Sequence, residues 1–345
     1  MSDAAISPER LARWVTALLE AHGTPSAGAE RVALALVDAD RCGHRSHGVR
    51  QLPYYLDLID RGELHPDAEA VVTEDTGALV RLDGQRGFGQ LAGERATDIC
   101  LSRAARYGVA VVCGRDAGHL GRLGAYTERI AAEGMAGILL VNNQGGDQQI
   151  APFGSAERRL TNNPVSIGVP GAVLDMALSV AAEGRVQRAH ERGEAVPAGW
   201  IIDSEGSPST DPQAYLDGGS LLPVGGAAGG HKGYGLIVLV ELLVGLLTTG
   251  GMCRPGEPPF SNAFVLICID PGAQARDAYL TELPGFVDWV TSAAPLAGAG
   301  EILIPGEPEV RRRAATDAIA LDEPTLRALD ELGRTSGCPF PGATA

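Results

Sequence analysis

Leu79-Val-Arg-Leu-Asp-Gly-Gln-Arg-Gly-Phe-Gly-Gln-Leu-Ala-Gly93 runs a β-type segment into a glycine-rich turn and then into a helical pattern. In a Rossmann fold, glycines at such a turn let the backbone approach a pyrophosphate at a helix N-terminus. Here the spacing is GxGxxxG, the strand lies some 80 residues into the chain, and Arg81 reads as an exposed residue within it. A plain strand–turn–helix connection explains the same glycines, and the Rossmann reading is set aside.

Around this stretch the pattern is α/β. Short β-type runs (78–82, 109–112, 137–141, 165–169, 200–202 and 263–269) alternate with helical stretches over about 90–107, 122–134, 232–249, 276–292 and 308–319. Alternation of this kind predicts a sheet covered by helices. The first 70 residues read as helical. Ser7-Pro8 and Thr24-Pro25 are helix starts, and a third helix is expected from near Ser46 to Gly62, irregular at Pro53. The Gly-rich stretch 218–235 reads as a mobile loop leading into a buried helix.

With 45% hydrophobic and 21% charged residues, the composition is that of a globular protein. A net charge of −15 with no basic stripe argues against a nucleic-acid partner, and it requires any anion pocket to be locally basic. The longest apolar run, Tyr234 to Leu247, is short for a bilayer span and carries Glu241, so no membrane role is expected. Six scattered cysteines without a CxxC pair, and no signal peptide, read as reduced thiols in a cytoplasmic protein.

Gly43-His-Arg-Ser-His-Gly-Val-Arg50 concentrates two imidazoles, a hydroxyl and two guanidiniums at a helix start. Histidine suits proton delivery near neutral pH, a neighbouring hydroxyl can orient it, and arginine holds carboxylates bidentately. A solvated polar helix cap has the same composition. His44 and His47 lack the further acidic or thiol ligands of a metal site, and no metal is expected. His119, in Asp116-Ala-Gly-His-Leu-Gly-Arg122, follows a strand end, where chemistry is common in α/β proteins, although it also suits a turn. Lys232, entering the apolar run, could cradle a phosphate or carboxylate. Arg185, Arg188, His190 and Arg192 could meet a 2′-phosphate or form a solvated helix face.

Seven segments in order resemble the malate/L-lactate (sulfolactate) dehydrogenase family of non-Rossmann oxidoreductases. They are Ser46-His-Gly-Val49, Gly118-His-Leu-Gly121, Pro152-Phe-Gly154, Asn163-Pro164, Leu174-Asp-Met-Ala177, Lys232-Gly-Tyr-Gly235 and Ile304-Pro-Gly-Glu307. Two stretches, 119–124 and 231–234, look most like its hydroxycarboxylate dehydrogenase branch. The resemblance implies a sulfolactate-dehydrogenase-like α/β fold, a mixed β-sheet with covering helices plus a mainly helical domain. The implied parts are an N-terminal helical part over 1–70, an NAD(P)-binding part over 71–225, and segments over 226–345 that complete the helical domain and a homodimer interface. It implies NADH- or NADPH-dependent reduction of a small 2-oxo acid to a 2-hydroxy acid. His47 is then the acid/base, Ser46 and His119 line the pocket, with His119 a rival proton carrier, and His44, Arg50 and Gln51 are candidates for the anionic substrate. Cofactor contacts fall on Asn143, Asn163, Asp175, Met176, Ala177, Lys232, Pro305, Gly306 and Glu307. Gln51 stands where many relatives carry arginine, and Thr161 and Leu178 also depart from the usual pattern. Two alternatives follow: a cyclic imino acid (C=N) reductase, and a non-catalytic dinucleotide-binding relative.

Overall fold

The computed structural model describes residues 4–145, 148–254 and 261–342. Its centre is a seven-stranded sheet in the spatial order Val71–Asp75, Leu79–Asp83, Val109–Ala117, Ser261–Ile269, Ala136–Gln144, Val165–Val169, Ala172–Met176. Only Leu79–Asp83 and Val109–Ala117 pair in parallel, and every other neighbouring pair in this sheet is antiparallel. That is a mixed sheet with covering helices, and it is not the parallel, doubly wound sheet of a Rossmann domain.

The strand Ser261–Ile269 shows why it takes the centre. Phe264, Leu266 and Cys268 enter one core with the helices Gly89–Tyr107 and Gly124–Ala132, while Ala263, Val265 and Ile267 enter another with the helix Gly226–Thr248. A period of two, apolar on both faces, suits only a strand sandwiched between two layers.

The glycines after Leu79–Asp83 are used for packing. A Cβ on Gly84 would lie 2.7 Å from the Ala117 Cα, one on Gly87 2.6 Å from the Ala68 oxygen, and one on Gly89 2.1 Å from the Gly118 oxygen. The turn is already filled by this chain's own backbone.

The N-terminal helices Pro8–Ala21 and Ser26–Arg41 share a third core with the far end of the chain, including Ile319, Leu321, Leu329 and Phe340. The short strands Ala4–Ile6 and Ile319–Leu321 pair antiparallel. The Trp14 indole donates to the Cys338 carbonyl at 2.8 Å and meets the Phe340 ring edge-on.

Several expectations are corrected. The third helix is two 3₁₀ turns, Arg45–His47 and Val49–Gln51, followed by an α-helix at Leu52–Asp60, because Pro53 belongs in a helical first turn. The Gly-rich stretch is helical from Gly226 onward, since the apolar helix starts there. That helix is buried on one face only: Ile237, Val240 and Val244 meet the sheet, while Leu236, Leu239, Leu242, Leu243 and Leu246 are exposed. By length and composition alone it would suffice to cross a membrane. Arg81 is half-buried, its guanidinium bonded to the Leu247 carbonyl and to Glu74.

Candidate active site

The Ser46-His47 turn is held from below by a buried carboxylate. Asp40, near the end of the helix Ser26–Arg41, accepts the Val49 N–H at 2.9 Å. Gly48 sits directly on that carboxylate, where a Cβ would lie 2.1 Å from Oδ1. Gln51 closes the turn by donating its side-chain amide to the Ser46 carbonyl at 2.6 Å. Burial pushes the Asp40 carboxyl up to about 7, against the opposing pull of the Val49 N–H and the nearby Arg45.

On this turn the Ser46 hydroxyl meets His47 Nδ1 at 3.0 Å. The His47 ring stacks on His119, with centroids 5.3 Å apart and planes at 28°. Behind His119, its Nδ1 lies 2.8 Å from the hydroxyl of Tyr55, a residue carried by the helix Leu52–Asp60. Gln90, at the start of the helix Gly89–Tyr107, donates to the same hydroxyl at 2.8 Å. The missing side chain of Gly89 lets that helix start touch the Gly118–His119 backbone, which places Gln90 within reach.

Both imidazoles are held neutral. Burial, helped by His44 and Arg122, lowers His47 to about 4, and burial with His47 beside it lowers His119 to about 3. His47 lines a chamber of about 200 Å³ together with Gln90, Leu120, Gly121, Arg122 and Tyr126. Ligand pockets for drug-sized molecules run to roughly 300–1,000 Å³, so this one suits a small molecule. Arg122 is enclosed in its wall, paired to Glu128 through two bonds at 2.7 and 2.8 Å and to Asp38 at 3.2 Å.

The other anticipated residues fall into groups. His44 meets Glu309 at 3.2 Å, and its ring lies 6.5 Å from that of His47. Arg50 pairs with Glu191, so His44, Arg50 and Gln51 are each engaged with a protein partner. Asp175 accepts the Gly124 N–H at 2.7 Å, two residues from Arg122. Its edge strand Ala172–Met176 docks the Pro305 turn through a Val173 N–H to Pro305 carbonyl bond of 2.9 Å, so Asp175, Met176, Pro305, Gly306 and Glu307 share one edge. Asn143 accepts from Asn262 at 2.5 Å, and Asn262 in turn accepts the Leu120 N–H at 3.0 Å, next to His119. Ala177 continues that edge strand, and Lys232 lies exposed near the start of the helix Gly226–Thr248. Asn163 is fully buried, its amide donating to Glu241 and to the Ile237 carbonyl.

Tyr55, Gln90, Arg122, Asn262 and Glu309 were not singled out as site residues from the sequence. The contacts that bring them there, to His119, Tyr55, Leu120, Asp38 and His44, span 35 to 265 positions. Leu178 is a fully buried core residue, and the Thr161 hydroxyl donates to Asn163 at 2.6 Å, so both departures from the family pattern are internal.

Two stacked imidazoles and a hydroxyl, with His47 on the wall of a small chamber, sit in a fold whose mixed sheet is not of the Rossmann kind. Residues 6–330 match the family described as malate/L-lactate dehydrogenase, and the chain belongs to that family of pyridine-nucleotide-dependent oxidoreductases. It is similar to an L-lactate dehydrogenase of Cupriavidus necator, 34% identical over 98% of this chain and 98% of that protein. A Δ1-pyrroline-2-carboxylate/Δ1-piperideine-2-carboxylate reductase of Pseudomonas putida is 31% identical over 92% of this chain and 93% of its own. Among solved structures, the sulfolactate dehydrogenase of Methanocaldococcus jannaschii superposes with a TM-score of 0.85 at 30% identity, covering 96% of this chain and 97% of that one.

Proposed function

We propose that the protein reversibly reduces a small 2-oxo acid to a 2-hydroxy acid with NADH or NADPH, and that His47 is the proton donor. The observation that carries the reading is His47, bonded to Ser46 and stacked on His119, on the wall of a chamber sized for a small molecule. In the free enzyme His47 is neutral. An anion brought within ~4–6 Å of an imidazole favours its charged form, typically by about 1–3 pKa units. Binding of the substrate carboxylate therefore draws a proton onto His47, which delivers it to the oxygen as negative charge develops there. The Ser46 hydroxyl can donate to or accept from Nδ1, and so holds the ring through both protonation states. The Arg122 guanidinium lies in the chamber wall, held there by Glu128 and Asp38.

The nucleotide, when bound, supplies the hydride. The residues present fit such a group. Asp175, Met176, Ala177, Pro305, Gly306 and Glu307 offer one continuous edge. The buried side-chain atoms Asn142 Oδ1, Gln144 Nε2 and Asn162 Oδ1 are without hydrogen-bond partners, leaving donors and acceptors for a polar ligand. We assign the cofactor to that edge, with Asn143 and Lys232, and give Asn163 a supporting place beneath it.

NADH and NADPH oxidation against pyruvate, oxaloacetate, 2-oxoglutarate, phenylpyruvate, sulfopyruvate and cyclic imino acids tests the reading. Turnover with a 2-oxo acid is expected. Turnover with imino acids alone would favour the C=N reductase, a reading supported by the Pseudomonas putida relative. Failure with every substrate would leave a non-catalytic dinucleotide-binding protein.

We further propose a homodimer. The helix Gly226–Thr248 exposes a row of leucines and the helix Ala273–Thr291, a helix with no buried residue, exposes Phe286 and Trp289, apolar side chains of the kind subunit contacts cover. All six cysteines are free, in keeping with a cytoplasmic location, and neither a nucleic acid nor a membrane is part of this reading.

A further inference from the structure

The hydrogen bonds behind His119 have a direction. Gln90 Nε2 donates to the Tyr55 hydroxyl, and the Gln90 oxygen is buried without a partner, so the phenol oxygen acts as acceptor on that side. A phenol has one hydrogen, and the other contact of this hydroxyl is His119 Nδ1 at 2.8 Å. The hydrogen therefore points at Nδ1, which must accept it. A neutral ring that accepts at Nδ1 carries its own hydrogen on Nε2. Protonating His119 would set the Nδ1–H against the Tyr55 O–H, and would place a second positive charge 5.3 Å from a protonated His47. His47 faces no such constraint, because the Ser46 hydroxyl at its Nδ1 rotates to suit either state.

We propose that Tyr55, oriented by Gln90, is a positioning residue that fixes His119 as the neutral Nε2–H tautomer and so leaves His47 as the single proton carrier. The proton-carrier role rests on the 2-oxo acid reading, whereas the tautomer does not. The proposal also divides labour between two histidines that the sequence presents as rivals. Gln90 decides the polarity of the row: an acceptor in its place would take the phenol hydrogen and turn His119 into the Nδ1–H form.

The test pairs spectroscopy with kinetics on the full-length protein. In ¹⁵N-histidine NMR, wild type is expected to show His119 with a bare Nδ1 and a protonated Nε2. Tyr55→Phe is expected to mix the tautomers, and Gln90→Glu to shift them toward Nδ1–H. With a substrate found in the panel, Tyr55→Phe should lower kcat about 10- to 100-fold and leave cofactor affinity unchanged, and the acid limb of its pH profile should move toward neutrality. A wild-type Nδ1–H tautomer, or an unchanged kcat in Tyr55→Phe, overturns the proposal. If no substrate turns over while the Nε2–H tautomer is seen, the functional reading fails and the positioning of His119 stands. Should Gln90→Glu fail to fold, Tyr55→Phe, which removes one oxygen and keeps the ring, decides alone.

Discussion

The imidazoles of His47 and His119, 72 positions apart in the chain, lie stacked with centroids 5.3 Å apart. Their partners differ: a rotatable hydroxyl at His47 Nδ1 and an oriented phenol at His119 Nδ1. The His47 ring lowers the affinity of His119 for a proton, while burial, His44 and Arg122 lower that of His47, so two similar side chains are driven to unlike roles.

Replacing His47 with alanine removes the proposed proton carrier. General acid catalysis is worth about 10²–10⁴-fold, so turnover should fall by that order, with nucleotide affinity in a fluorescence titration nearly unchanged. Wild-type turnover in His47→Ala would sink the assignment.

Acid should weaken the fold through these histidines. Their folded values, about 4 and about 3, lie below the ordinary 6.5, so the unfolded chain takes up protons first. Their contribution to stability is complete above pH ~6.5 and is lost as pH falls toward 4. Denaturant midpoints between pH 4 and 7 should drop, and the drop should be shallower in a His47→Gln, His119→Gln double variant. An identical slope in the variant would show that other groups control it.

Asp40 acts in the opposite sense. Its carboxyl rises from 3.8 to about 7 on folding, so the folded state holds the extra proton and stability falls as pH climbs from about 4 to about 7. Asp40→Asn keeps an acceptor for the Val49 N–H without a charge to bury. It should gain on the order of 4 kcal/mol relative to wild type at pH 8, and almost nothing at pH 4. Equal differences at both pH values would count against a buried, titrating Asp40.

A charge placed on the exposed leucine face should split the proposed dimer. Leu239→Asp and Leu243→Asp together should halve the mass measured by light scattering without loss of helical signal. A wild-type protein that is monomeric at micromolar concentration would refute the dimer directly.

Local chemistry made much of this fold legible in the sequence. The central strand 261–269, the Ser7-Pro8 helix start and the long helices announce themselves through periodicity and caps, because those signals act over a few residues. Other elements were missed: the edge strands Val71–Asp75 and Ala172–Met176 have no buried face to pattern them, and the helix Glu323–Thr335, although amphipathic and capped by Asp322, was not read from its sequence.

For the site, the sequence determined which groups are present: the Ser46-His47 pair, His119, and an ordered set of motifs that identifies the family. Tertiary structure decided what they are. It filled the Leu79–Gly93 turn with backbone from residues 68 and 117–118, turned Asn163 into the core, and brought Tyr55 and Gln90 behind His119. Protonation and tautomer depend on burial and on neighbours many positions away, and a linear sequence does not specify those distances.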